Sequence, residues 1–284
     1  MKNVSVVIPA KNEAAGLSKI LPELMALSCI GEVLVVDDGS EDATAEVALS
    51  YGAKVISSPY SKGNGASIKA GARAAVGEVI IFMDADGQHD PKDIGALLAE
   101  YESGYDMLVG ARSGSSQASM GRWAANSLYN RLASWMVGRK VEDLTSGFRV
   151  VNANKFREFL HLLPNGFSYP TTITMAFFRA GYNVGYKAIN VEKRLGKSHI
   201  SLSRDGIRFL LIIFKIGTLY SPLKIFFPTS VLVGLVGLSY YLFTYITQGR
   251  FTNMSALMFT TSLIVFMMGL ISEQITSLIY KHET

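Results

Sequence analysis

With a single cysteine, Cys29, the chain has neither an internal disulfide nor a thiolate metal cluster available to it. Its four histidines add no metal pair: His89 and His199 lack the spacing, and His161 and His282 stand alone. Glycine is missing where a dinucleotide-binding fold needs it. The first strand-to-helix turn, Pro9-Ala10-Lys11-Asn12-Glu13, contains none, which argues against a dehydrogenase, whose backbone must approach a pyrophosphate there. The turn Gly63-Asn64-Gly65 lacks the spacing of a P-loop. Met1-Lys2-Asn3 leads straight into an apolar strand without a signal-peptide pattern, so the first part of the chain is expected in the cytosol. Charge is absent from 225–247 and from 251–272, and each run is long enough to cross a bilayer core. The net charge of +4 is modest, and no nucleic-acid partner is expected.

What is present is an alternation of strand and helix signals: strands at 4–8, 32–36, 54–56, 79–83 and 105–109, helices at 13–27, 41–50, 67–75 and 91–103. Such alternation predicts an α/β domain with a largely parallel sheet and helices on both faces. Its organising stretch is Val79-Ile80-Ile81-Phe82-Met83-Asp84-Ala85-Asp86-Gly87-Gln88-His89-Asp90-Pro91. An apolar strand buried on both faces ends in two carboxylates when a cation waits at its tip. Asp84, Asp86 and Gln88 share one parity, a spacing suited to a hard divalent ion that bridges to phosphate oxygens. Asp90 as N-cap and Pro91 at the first turn predict a helix immediately afterwards. A second acid pair, Asp37-Asp38, ends another strand, with Ser40 as the expected cap of the helix from Glu41. Lys62 with Gly63-Asn64-Gly65 reads equally as a plain loop or as a phosphate contact.

A helix predicted over 120–138 carries Arg122, Asn126 and Asn130 along one face, with Arg112 just upstream. Asp143-Leu144-Thr145-Ser146-Gly147-Phe148-Arg149 mixes an acid, hydroxyls, glycine and a base. Arg194-Leu195-Gly196-Lys197-Ser198 suits a basic loop closing over a pyrophosphate. Residues 203–220 are amphipathic, as for a helix lying in a membrane interface. The loop between the two apolar runs is too short for anything but a hairpin, and Arg208, Lys215, Lys224 and Lys281 against Arg250 predict that both ends face the cytosol. Glu273 is expected at the interface near the end of the second span.

Five of these motifs in this order, Ile8-Pro9-Ala10-Lys11-Asn12-Glu13, Val35-Val36-Asp37-Asp38-Gly39-Ser40, Met83 to Pro91, Asp143 to Arg149 and Arg194 to Ser198, resemble the polyprenyl-phosphate glycosyltransferases of glycosyltransferase family 2, the group that includes dolichol-phosphate mannose synthase. The hairpin resembles that of its membrane-anchored bacterial members. The resemblance implies a GT-A domain over 1–201, amphipathic juxtamembrane helices over 202–224, and a transmembrane hairpin over 225–284 with spans at about 225–247 and 253–275. It implies an inner-membrane, multi-pass protein that passes a sugar from a nucleotide sugar to polyprenyl (undecaprenyl) phosphate with inversion. Pro9, Lys11, Glu13, Asp38 and Lys62 would then bind nucleotide, under a lid of Arg194, Lys197 and Ser198. Asp84, Asp86 and Gln88 would hold Mg²⁺ or Mn²⁺, and Arg112, Arg122 and Asn126 the acceptor phosphate. Asp86 and Asp143 would be the catalytic acids, with Asp143 orienting the acceptor or an arginine. A UDP-sugar is favoured over GDP-mannose by the bacterial look of the hairpin. A processive polysaccharide synthase is disfavoured, because its Gln-x-x-Arg-Trp motif is absent. A non-catalytic sugar-nucleotide-binding adaptor and self-association remain alternatives for experiment.

Overall fold

The computed structural model describes residues 3–112, 120–166, 169–191 and 217–279, with the backbone alone for 120–126. It divides into two compact units, Met1–Ile200 and Ser201–Thr284. The first unit is a seven-stranded sheet of order β3-β2-β1-β4-β6-β5-β7. Its strands are β1 (Val4–Ala10), β2 (Glu32–Asp37), β3 (Lys54–Ser57), β4 (Val79–Phe82), β5 (Met107–Arg112), β6 (Arg149–Asn152) and β7 (Val184–Ile189). All pairings are parallel except those of β6, which runs antiparallel to both β4 and β5. The helices are α1 (Ala14–Ala26), α2 (Thr44–Ser50), α3 (Asn64–Ala74), α4 (Asp93–Tyr101), α5 (Met120–Val137), α6 (Ala153–Glu158) and α7 (Tyr169–Arg179).

Alternation along β1 sorts the layers. Val6 and Ile8 join Leu17, Ile20, Leu21 and Leu24 of α1 and Ile94 and Leu97 of α4 in one buried cluster. Val7 points the other way, where Gly71 lets α3 close on Val7 and Val36 so tightly that a Cβ would stand 2.3 Å from Val7 Cγ1. The central strands β1, β2 and β4 are buried except at Pro9, whereas β3 is an edge whose ends are exposed. A buried acid at the opposite edge from the carboxylate turns, Glu32, is fully engaged by Ser5, Lys54 and the amide of Val76.

Helix starts differ from the sequence expectation: α3 begins three residues early, at Asn64 instead of 67, and α2 and α4 begin late. Residue 41 does not begin a helix, because the Ser40 hydroxyl accepts from the amide of Asn12 (2.9 Å) while the Asp42 carboxylate receives the Thr44 amide (3.0 Å), delaying α2 to Thr44. Asp90 likewise accepts from the amide of Lys92 (2.9 Å), which makes a turn through Pro91 and moves the start of α4 to Asp93.

The second unit contains α8 (Pro222–Gln248) and α9 (Asn253–Ile279), joined at Gly249, which takes the left-handed conformation at the end of α8. At 27 residues each is about 40 Å long, enough for the hydrocarbon core of a bilayer. Pro228 lies inside α8, so the proline does not break the span. Residues 217–220 are helical, and the rest of the amphipathic stretch from 203 lies outside the described residues. The two helices meet along small residues seven apart: Ser230, Gly237 and Thr244 on α8, and Ser255, Ser262, Gly269 and Thr276 on α9. Ser262 Oγ donates to Ser230 O across the seam (2.7 Å), and a Cβ on Gly237 would meet Met258 Cβ at 2.9 Å. Glu273 accepts from the amide of Leu223 in the first turn of α8 (3.3 Å), a favourable place for a carboxylate. Gly237→Leu is therefore expected to wedge the helices apart. In a Cys29→Ser background, the oxidative cross-link between Ser230→Cys and Ser262→Cys in membranes should form readily and drop by more than about half when Gly237→Leu is added, the usual consequence of overpacking a tight contact.

Candidate active site

The carboxyl ends of β1, β2, β4 and β5 lie along one edge of the sheet, where open α/β sheets bind ligands. There the turn after β4 carries Asp84 and Asp86. Two close approaches hold it. Gly16 of α1 lies so near that a Cβ would stand 2.0 Å from Ala85 O, and Lys19 Nζ donates to the carbonyl of Gly87 (3.1 Å), whose φ of +71° suits glycine. Asp86 is 9% exposed and accepts the Gln88 amide at 3.2 Å. Asp84 keeps 37% of its side-chain surface accessible. His89, which sequence reasoning passed over, is buried against Phe148 with its rings 4.9 Å apart, and places Nε2 3.8 Å from Asp84 Oδ2. Burial alone would raise the Asp84 pKa. The adjacent His89 and the positive charges of Arg112 and Arg149 outweigh it and hold the carboxyl below its ordinary range.

At the end of β5 the guanidinium of Arg112 grips Asp143, Nε to Oδ2 at 2.8 Å and Nη2 to Oδ1 at 2.9 Å, while the Arg112 amide also donates to Oδ2 (3.2 Å). The amides of Thr145 and Ser146 each reach Asp143 Oδ1 at 3.1 Å. Burial opposes ionisation of Asp143, but Arg112 and these amides hold its pKa below the ordinary carboxylate range. Asp143 is thus an ionised, fully engaged group that fixes the plane of Arg112. Asn130, placed by spacing on the face with Arg122 and Asn126, instead ties α5 to this loop: its amide nitrogen donates to Glu142 O (2.6 Å) and its Oδ1 accepts from Leu144 N (3.1 Å).

Toward β2 the buried Asp38 accepts from Ser61 Oγ (2.7 Å), Lys62 N (2.6 Å) and Gly63 N (2.9 Å). The amides of Gly65 and Ala66 go to Gly166 O and Asn165 O. The amides of Gly63, Gly65 and Ala66 therefore donate within the protein. Pro9 and Glu13 are half-buried and Lys11 and Lys62 exposed around the same edge. The side chains of Arg122 and Asn126, and the whole of Arg194, Lys197 and Ser198, lie outside the described residues.

Among the described residues no three His, Cys, Asp or Glu side chains converge as a closed metal cluster. The donor set nevertheless fits Mg²⁺ or Mn²⁺, which needs one or two carboxylates and takes its other oxygens from a bound phosphate. Asp84 is ionised and accessible, and the backbone of Gly147 leaves it room: a Cβ there would stand 2.5 Å from Asp84 Oδ2.

Residues 5–160 match the family described as "Glycosyl transferase family 2", and 221–278 match "GtrB C-terminal hairpin". The chain is 32% identical over 187 residues to an undecaprenyl-phosphate 4-deoxy-4-formamido-L-arabinose transferase of Klebsiella pneumoniae, an alignment covering 59% of this chain and 57% of that one. It is 26% identical to CsbB of Bacillus subtilis, whose name proposes a glycosyltransferase, over 98% of this chain and 88% of the relative. The chain thus spans little more than half the length of the first of these relatives. Glucosyl-3-phosphoglycerate synthase of Mycobacterium tuberculosis, solved with Mn²⁺ and UDP-glucose, shares the fold with a TM-score of 0.61 and 23% identity, covering 75% of this chain and 79% of the other. With its carboxylate turn at the end of β4, its mixed sheet of GT-A type and its apolar hairpin, the chain belongs to glycosyl transferase family 2.

Proposed function

We propose that this protein transfers a sugar from a nucleotide sugar, a UDP-sugar in preference to GDP-mannose, to polyprenyl phosphate at the cytosolic face of a membrane, with inversion at the anomeric carbon. The observation that carries it is the placement, on one sheet edge, of an acid pair, Asp84 accessible and Asp86 buried, suited to a diphosphate-bound cation beside an arginine held rigidly by a buried carboxylate. The names of the relatives support the lipid acceptor, and α8 and α9, long and apolar enough to span a bilayer, support a membrane anchor.

In this scheme Asp84, Asp86 and Gln88 hold Mg²⁺ or Mn²⁺, which when bound offsets the negative charge that grows on the leaving diphosphate. Pro9, Lys11, Glu13, Asp38 and Lys62 bind the nucleotide, with Arg194, Lys197 and Ser198 as a lid. Arg112, Arg122 and Asn126 receive the acceptor phosphate. Asp143 takes Nε and one Nη2 donor of Arg112, so the Nη1 donors point away from the carboxylate toward an incoming anion. The acceptor needs no strong base, since a phosphate monoester has a second pKa of about 6 and is largely dianionic at neutral pH. Asp143 then acts by orienting Arg112.

The test uses the full chain with radiolabelled UDP- and GDP-sugars and undecaprenyl phosphate, with and without EDTA. Labelled lipid formed from a UDP-sugar and abolished by EDTA is the expected result. Product from GDP-mannose alone would reassign the donor. Binding of nucleotide sugar without lipid product from any donor would favour a non-catalytic adaptor.

A further inference from the structure

Arg149 opens β6 and pairs with Phe82 of β4 on one side and Val109 of β5 on the other, between the strand that ends in the acids and the strand that ends in Arg112. Its side chain is fully buried. Nη1 donates to Pro170 O and to Thr174 Oγ1, each at 3.1 Å, Nη2 donates to Ser146 O, and the guanidinium lies 5.8 Å from the centre of the Tyr169 ring. Among the described residues Nε has no partner, and none of the acceptors is a carboxylate. Stability alone does not ask for such a group: a buried cation without a counter-ion at bonding distance carries a desolvation cost that a long apolar side chain would avoid.

What the guanidinium does hold is the Ser146-Gly147 segment. The amide of Ser146 donates to Asp143 Oδ1 (3.1 Å) and its carbonyl is taken by Arg149. Gly147 then passes in contact with the Asp84 carboxylate, and its carbonyl receives Tyr169 OH at 3.3 Å. Two residues of backbone therefore touch the acid that serves the donor side and the acid that orients Arg112, and both are fixed from below by Arg149 and Tyr169.

We infer that Arg149 is a positioning residue that sets the Ser146-Gly147 segment and thereby fixes the cation-holding Asp84 and the acceptor-side Asp143–Arg112 pair in one arrangement. This rests on the functional reading above. It goes beyond it by tying the two halves of the site to one buried side chain that touches neither substrate.

The test compares Arg149→Met, Arg149→Lys and Gly147→Ala in the full chain. Mn²⁺ affinity is read by electron paramagnetic resonance in the presence of UDP, the KM for polyprenyl phosphate by initial rates, and folding by thermal denaturation. Arg149→Met is expected to weaken Mn²⁺ binding about tenfold, the lower end of what supporting groups around a metal contribute, and to raise the acceptor KM in parallel. Arg149→Lys should recover part of both. Gly147→Ala, which displaces Asp84 directly, should reproduce the Mn²⁺ loss with a smaller change in acceptor KM. Wild-type Mn²⁺ affinity and KM in folded Arg149→Met, whatever its melting temperature, would overturn the inference. If Arg149→Met does not fold, wild-type values in folded Arg149→Lys would overturn it equally. Absence of Mn²⁺–UDP binding by the wild-type chain would instead overturn the functional reading, and the inference with it.

Discussion

Asp86→Asn is expected to lower sugar transfer about 100- to 1,000-fold, the range seen when one preorganised electrostatic partner of a developing charge is removed. The substitution is nearly isosteric at a site only 9% exposed, and an asparagine oxygen can still accept the amide of Gln88. Fold and hairpin should therefore persist, and circular dichroism should match the wild type. What is lost is a full negative charge and a hard oxygen donor at the end of β4. Single-turnover rates at rising Mn²⁺ should show partial recovery, because higher metal concentration compensates for weaker binding. A variant within about threefold of wild type would remove Asp86 from the site, since a tenfold loss already corresponds to only about 1.4 kcal/mol.

Asp143→Asn is expected to act differently. It removes one side of a bidentate pair whose carboxylate also holds the amides of Thr145 and Ser146. An asparagine oxygen can replace one Arg112 contact, while its amide group would face a guanidinium donor. Loss of a charged hydrogen bond of this kind costs about 1.5–3 kcal/mol, so kcat/KM for polyprenyl phosphate should fall about 10- to 100-fold. The signature is in the pH profile. The Asp143 pKa lies below the ordinary carboxylate range, so the acid stays ionised across the working range and its pairing with Arg112 is lost only as pH falls through that depressed value. The acid limb of kcat/KM should therefore follow the second ionisation of the acceptor phosphate, near about 6, in both wild type and Asp143→Asn. A limb present in the wild type and missing from the variant, with a loss in kcat matching that of Asp86→Asn, would restore Asp143 as a general base.

Much of the sheet was legible because it depends on local pattern. The strands ending near Ala10, Asp37, Ser57 and Phe82 are apolar runs bounded by turn residues, and their alternation with helices forces parallel pairing. The structure extends β5 to Arg112, whereas spacing ended that strand at residue 109, so the arginine is held by the sheet edge itself. β6 and β7 escaped notice for identifiable reasons. β6 is only four residues long and begins with an arginine, and Gly185 interrupts the alternation of β7. The antiparallel insertion of β6 is fixed by contacts to residues near 80 and 108, which no local period encodes. The seven-residue spacing of Ser230, Gly237 and Thr244 was visible in the sequence, but hydropathy marks a span without showing which face meets its partner.

The sequence by itself determined that an acid pair ends a buried strand, that a basic and acidic set follows in a fixed order, and that two charge-free runs form a hairpin. Each follows from residue type and spacing along the chain. Only the tertiary structure decided how the charges are paired. It gave Asp38 to the loop at 61–63, Asp143 to Arg112, His89 to Asp84, and Arg149 to the backbone beneath both halves of the site. Arg112 and Asp143 are 31 residues apart, and their pairing is set by which strand ends the sheet brings together and by how much water burial removes. The acids after β4 thus have two settings: their place at a strand end is written in the sequence, and their working geometry is set by Gly16, Gly147 and Arg149 through contacts that exist only once the chain has folded.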